Sequence, residues 1–112
     1  MSDCIFCKII NDELPSTKVY EDENILAFHD ISPQTPVHII IIPKVHISAA
    51  SELNEQNSEI VAKIFAVIPK IAKDLGLEHY RIVNNCGPEA GQTVFHLHFH
   101  LLGGRVLNGK MA

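Results

Sequence analysis

The chain has 112 residues, 46% of them hydrophobic and 20% charged, with a formal net charge of −4 when the histidines are neutral. One domain over 1–112 with a real core is the expectation, and this balance argues against disorder. Net acidity disfavours nucleic acid or an anionic membrane as partner, because both need a basic field.

The densest apolar run, Ile39 to Ile42, is far too short to cross a bilayer. Met1-Ser2-Asp3-Cys4 shows no basic region followed by an apolar one, so no signal peptide is visible. The 3 cysteines are an odd number, which argues for a reducing compartment, the cytoplasm or the nucleus, and against a disulfide framework.

In chain order, Cys4 to Ile10 is a short apolar segment of one or two helical turns, broken by Asn11-Asp12-Glu13. Lys18 to Glu21 and Ile25 to Phe28 read as short strands separated by a turn. Asp30 to Pro36 has the Pro and Ser of an ordered loop. Val37 to Ile42 is a β-branched central strand ended by Pro43. From about Glu55 to Leu75 the apolar residues Ile60, Val61, Ile64, Val67, Ile68, Ile71 and Leu75 keep one stripe toward a core, which predicts one long helix. Gly76 caps it, and Pro69 inside it predicts a kink or an early break. Tyr80 to Val83 is a strand, Asn84 to Gln92 a loop, and Thr93 to Leu102 a last long strand. The sum is an α+β fold: about five antiparallel strands, one long helix and a short N-terminal helix.

That last segment carries His96-Leu97-His98-Phe99-His100-Leu101-Leu102. Strand side chains alternate between faces, so the three imidazoles would share one face, with Phe95, Leu97, Phe99 and Leu101 buried on the other. Imidazole switches most readily between base, nucleophile and cation near neutral pH. Three readings stay open: satisfied polar residues, a zinc site with an open position, or nucleophilic catalysis by histidine, with phosphorus as a plausible target. Phosphate needs donors nearby. The loop Asn85 to Thr93 offers backbone N–H groups, the Asn85 amide and the Thr93 hydroxyl.

The histidine segment resembles the His-φ-His-φ-His-φ-φ signature (φ apolar) of the histidine triad superfamily. Gly91-Gln92-Thr93-Val94-Phe95 before it and Gly103-Gly104-Arg105 after it extend the match. Ala27 to Gln34 and His38 to Lys44 also fit the branch of histidine triad nucleotide-binding proteins. The resemblance implies a purine nucleotide-binding hydrolase that cleaves nucleoside monophosphate derivatives, adenosine or guanosine phosphoramidates, through a nucleotidyl-histidine and without Mg²⁺. The alternatives are a non-catalytic nucleotide-binding scaffold and a nucleotidyl transferase or phosphorylase. It implies that His98 is the nucleophile, that His100 contacts the phosphate, and that His38 orients the nucleophile and relays protons. Asn85, Gly91, Gln92 and Thr93 would lie at the phosphate or leaving group. Asp30 would take the ribose hydroxyls, and Ile5, Phe6, Ile9, Phe28, His29, Ile31 and Ile40 the nucleoside. It also implies a homodimer. Without the resemblance, Asp30 reads equally as a turn former, and His38 as a hydrogen-bonded core histidine.

Cys4-x-x-Cys7 is either a redox pair, which would normally follow a strand, a zinc clip, or two reduced cysteines. A subset of the superfamily pairs such cysteines with a histidine after the Pro-Lys turn and with the first triad histidine. The resemblance thus implies a structural Zn²⁺ site of Cys4, Cys7, His46 and His96.

Overall fold

The computed structural model describes residues 3–109. Helix α1 (Ile5–Ile10) precedes strands β1 (Lys18–Glu21), β2 (Ile25–His29) and β3 (Val37–Pro43). Helix α2 (Glu59–Asp74), β4 (Tyr80–Val83) and β5 (Phe99–Gly103) follow. The strands form one antiparallel sheet in the order β1-β2-β3-β5-β4, which is the expected α+β architecture.

The sheet is covered on both faces, and the two-residue period of the strands sorts the side chains. Ile25, Ala27, Ile39, Ile41, Phe99 and Leu101 cluster with Ile64, Val67, Ile68 and Ile71 of α2. Leu26, Phe28, Ile40 and Ile42 cluster with Phe6 and Ile9 of α1. A strand buried on both sides has no polar face to alternate with, hence the unbroken isoleucine run of β3. His38 and His100 occupy the α1 side by the same alternation. In register His38 faces Leu102 and His100 faces Ile40, so the two histidines are diagonal neighbours across the β3–β5 pair.

Three features differ from expectation. The long helix begins at Glu59, because Asn54 and Asn57 close a turn on themselves: Asn54 Oδ1 accepts from the N–H groups of Gln56 and Asn57, and Asn57 Oδ1 from that of Asn54. Such side chains offer the backbone an alternative to helix. Pro69 does not break the helix, which runs on to Asp74. Pro69 lies on the exposed side, so the carbonyl its missing N–H leaves free, that of Phe65, is on the side open to water.

The last strand pairs only from Phe99, not from Thr93. β5 pairs with β3 as far as Ile41↔Phe99, and the next partner of Leu97 would be Pro43, which has no N–H to give. Leu97 instead donates to the Ile47 carbonyl at 2.6 Å, and the Pro43 carbonyl is taken by the His96 ring at 2.8 Å. The chain leaves the sheet there. Phe95, expected in the core, is consequently 48% exposed, while Leu97, Phe99 and Leu101 are buried as anticipated.

Candidate active site and metal centre

The start of β5 and the residues before it bring three histidines to the α1 side, and β3 adds a fourth. His98 is 5% exposed. Its Nδ1 lies 2.7 Å from the His96 carbonyl oxygen. A carbonyl only accepts, so Nδ1 carries the hydrogen and Nε2 of the neutral ring keeps a bare lone pair. Burial pushes His98 below the ordinary histidine range, which favours that neutral form. Phe6 stands edge-to-face at 5.1 Å and 88°, and the His100 ring lies 5.0 Å away at 75°.

The neighbouring tautomers follow from one backbone donor. The Gln34 N–H donates to His38 Nδ1 at 3.0 Å. His38 Nδ1 therefore has no hydrogen, and the neutral ring carries it on Nε2. Nε2 lies 2.9 Å from His100 Nδ1 and 3.4 Å from Asp30 Oδ2. His38 thus donates to His100, whose Nδ1 accepts, so the hydrogen of His100 sits on its outer nitrogen, Nε2. Burial first, then the adjacent His98 and His38 rings, press His100 down to about 4; burial also lowers His38, against the pull of Asp30. The result is an unprotonated Nε2 on His98 beside an N–H donor on His100: a lone pair able to attack an electrophile next to a donor able to bind an anion. Asp30 fills the turn-forming role considered for it. Its Oδ1 accepts the Ser32 N–H at 2.7 Å in a turn while Oδ2 faces His38.

The loop before the histidines is less open than expected. The N–H groups of Ala90, Gly91 and Gln92 already donate to the carbonyls of Gly87, Pro88 and Gly87. The Gln92 side chain is 3% exposed; its oxygen accepts from the Gly87 N–H, and its amide donates to the Ser48 and Val94 carbonyls. Gly91 and Gln92 were expected to contact the phosphate; the loop uses their N–H groups, and the Gln92 amide, to brace itself. Asn85 donates to the Ala90 carbonyl at 2.9 Å. Thr93 is exposed and lines an open cavity of about 480 Å³ with Ile5, His46, Val94 and Phe95. The larger cavity, about 1180 Å³, lies between the end of α2, β4 and the tail and includes none of the candidate residues.

The expected nucleoside residues divide. Phe6, Ile9, Phe28 and Ile40 share one buried cluster on the His98 side of the sheet, whereas Ile5, His29 and Ile31 face solvent, Ile31 being 98% exposed. Two participants had no sequence signal. Asn84 donates to the His98 carbonyl at 2.8 Å, yet only its neighbour Asn85 was singled out. Gln34 acts through its backbone, which no side-chain motif reveals.

Two clusters of metal-ligand atoms exist among the described residues, each within 4.8 Å: Cys4, Cys7, His46 and His96, and Asp30, His38 and His100. In the first, Cys4 Sγ is 3.3 Å and Cys7 Sγ 3.6 Å from His96 Nδ1, Cys7 Sγ is 3.4 Å from His46 Nδ1, and the two Nδ1 atoms are 3.1 Å apart. Tetrahedral zinc bonds of about 2.0–2.3 Å place ligand atoms about 3.3–3.8 Å apart, so the set fits after shifts of a few tenths of an ångström. The second shell fits as well. His96 Nε2–H donates to the Pro43 carbonyl, which leaves the Nδ1 lone pair for a cation. Burial and the adjacent Cys4 push the Cys7 thiol up to about 11, a cost that a bound cation reverses. The second cluster fails the same test. A neutral His38 bound to metal through Nε2 would need a hydrogen on Nδ1, where the Gln34 N–H already points. It is instead a hydrogen-bonded chain from the Gln34 N–H through His38 to His100.

A family model described as "HIT domain" matches residues 11–107. A "14 kDa zinc-binding protein" of Zea mays is 51% identical over 110 residues, covering 96% of this chain and 86% of the relative. "Adenylylsulfatase HINT1" of Arabidopsis thaliana is 47% identical over 110 residues, covering 96% and 75%. Among solved structures, a HIT family hydrolase from Clostridium thermocellum superposes with a TM-score of 0.97 at 52% identity, covering 100% of this chain and 99% of that one.

Proposed function

The chain belongs to the HIT-domain family, and from that premise we propose that it is a nucleotide hydrolase acting on purine nucleoside phosphoramidates through a nucleotidyl-histidine at His98. One observation carries the reading: the buried His98 has a fixed tautomer with a free Nε2 lone pair, beside a His100 whose outer nitrogen is a donor.

In the proposed reaction His98 Nε2 attacks the α-phosphorus. The bond from phosphorus to the leaving nitrogen breaks, and the leaving amine takes up a proton. Water then attacks phosphorus, the N–P bond opens, and the nucleoside monophosphate leaves with the ring restored. His100 Nε2–H stabilises charge on the phosphoryl oxygens, and His38 relays its proton under the hold of Gln34 and Asp30. Asn85 and Thr93 lie on the leaving-group side. Asp30 offers a carboxylate to the ribose hydroxyls, and Phe6, Ile9, Phe28 and Ile40 an apolar wall for the base. Ile31, wholly exposed beside Asp30, gains cover from a bound purine. The route requires no Mg²⁺. Cys4, Cys7, His46 and His96 would hold Zn²⁺, which staples α1 to the end of the sheet. We also propose a homodimer, for which β4 offers an edge strand. The relative named as an adenylylsulfatase supports a nucleotidyl substrate class with a different leaving group.

The test is intact-mass detection of an adenylyl adduct on mixing with an adenosine phosphoramidate. The native protein gains one adenylyl group. His98→Ala gains none and loses turnover while still binding AMP; turnover at the native rate in that variant refutes the mechanism.

A further inference from the structure

We infer that the Cys4, Cys7, His46 and His96 centre positions the nucleophile as well as stapling the fold, and that Phe6 is the positioning residue through which α1 acts. The inference rests on the reading of His98 as nucleophile.

His96 joins the two sites by itself. Its ring nitrogen Nδ1 belongs to the donor set of the metal centre, and its Nε2–H is fixed to the Pro43 carbonyl. Its backbone carbonyl receives the Nδ1–H of His98 at 2.7 Å. A ring held at both nitrogens holds its own peptide, and that peptide sets the tautomer and tilt of His98. No ladder hydrogen bond does this work, because regular pairing begins only at Phe99.

Phe6 makes a second connection. It sits between the two cysteines in sequence and is 5% exposed. Its ring stands 5.1 Å from His98 at 88°, 6.0 Å from His96 at 71°, and 5.6 Å from Phe28 at 73°. Helix α1 has only 6 residues, far below the roughly 12–15 an isolated helix needs to persist in water. Its position therefore depends on what anchors it: the burial of Phe6 and Ile9, and the cysteines on either side of Phe6. The nucleophile's ring is thus tied at Nδ1 and flanked by Phe6 and His100. Releasing the centre frees both α1 and the His96 peptide, and with them the aim of Nε2. Misplacing a reacting atom by about 1 Å can cost about a hundredfold in rate.

The experiment compares the protein loaded with Zn²⁺, stripped by a chelator, and reloaded. The readouts are the ¹⁵N spectrum of the histidine rings, AMP affinity, and the single-turnover rate of adduct formation from an adenosine phosphoramidate. We expect one Nδ1–H tautomer of His98 in the loaded protein. On stripping, that signal should broaden or average and the single-turnover rate at saturating substrate fall about tenfold or more, while AMP affinity reports separately on the base wall that α1 supplies; reloading should restore both. A folded, stripped protein with an unchanged His98 spectrum and rate overturns the inference. If stripping unfolds the chain, Phe6→Leu decides: with its zinc retained, it should lower the rate at saturating substrate and broaden the His98 signal, and a native rate and spectrum overturn the proposal. If the loaded native protein forms no adduct, the reaction is wrong, while the His98 spectrum still tests the positioning.

Discussion

His38 Nε2 donates to His100 Nδ1 across 2.9 Å, although 62 residues separate the two in the chain. The Gln34 N–H behind His38 makes this direction of donation the only one open to neutral rings. The backbone has set the polarity of the pair, and the hydrogen of His100 sits on its outer nitrogen.

Breaking the proposed relay should slow the chemistry more than it weakens binding. His38→Gln is expected to lower the single-turnover rate on an adenosine phosphoramidate by about 10²-fold, the range for general acid–base groups. AMP affinity by calorimetry should remain close to native. A rate equal to that of the unaltered protein would remove His38 from the mechanism.

Asn84 tests the support beneath His98. It donates to the His98 carbonyl at 2.8 Å in a partly buried position. Asn84→Ala leaves that carbonyl without its partner, so urea unfolding should show a loss of about 1–3 kcal/mol. Asn85→Ala, whose lost bond to the Ala90 carbonyl is exposed, should cost less. Equal losses would mean that the two asparagines are interchangeable.

Metal removal has a stability signature of its own. A ligand present at about a thousand times its dissociation constant adds about 4 kcal/mol, and in a domain of this size each kcal/mol moves the thermal midpoint by about 4–8 °C. Chelation should therefore lower the midpoint by about 10 °C or more, and Zn²⁺ should restore it. Cys7→Ser should start from the low value and respond little to either treatment.

Acid should unfold the chain through its histidines. His38, His98 and His100 are held below 6.5 in the folded state, His100 at about 4, all first by burial. The unfolded chain therefore binds more protons between these values, and stability rises with pH across that window. The contribution is complete above about 6.5 and is lost as the pH falls toward 4. Urea midpoints measured from pH 7 to pH 4 should fall, and His100→Gln should flatten the descent. A slope unchanged by that substitution would show that His100 titrates as freely when folded as when unfolded.

Much of this architecture is legible in the sequence because its signals are local. Periodicity placed β1, β3, β4 and α2, since an apolar stripe or a β-branched run needs no distant partner to be read. The alternating histidines are legible in the same way, and the two-residue period put His98 and His100 on one face. Other features depend on distant contacts. The strand expected from Thr93 pairs only from Phe99 because Pro43 lacks an N–H, and whether Leu97 would face Pro43 depends on the register of two strands. Phe95 left the core for the same reason. The expected phosphate cradle turned out partly self-satisfied, because Gly91 and Gln92 spend their N–H groups on Pro88 and Gly87.

The chain by itself determined which groups are available: His38, His98 and His100 as three imidazoles, Cys4, Cys7, His46 and His96 as two thiols and two imidazoles of metal-ligand type, and the alternation that sets His98 and His100 on a common side. Folding alone decided which nitrogen of each ring is bare. A tautomer follows from the partner at the other end of the hydrogen bond, and those partners, the His96 and Pro43 carbonyls and the Gln34 N–H, are backbone groups that every residue carries. Only tertiary packing selects which of them meets a given ring.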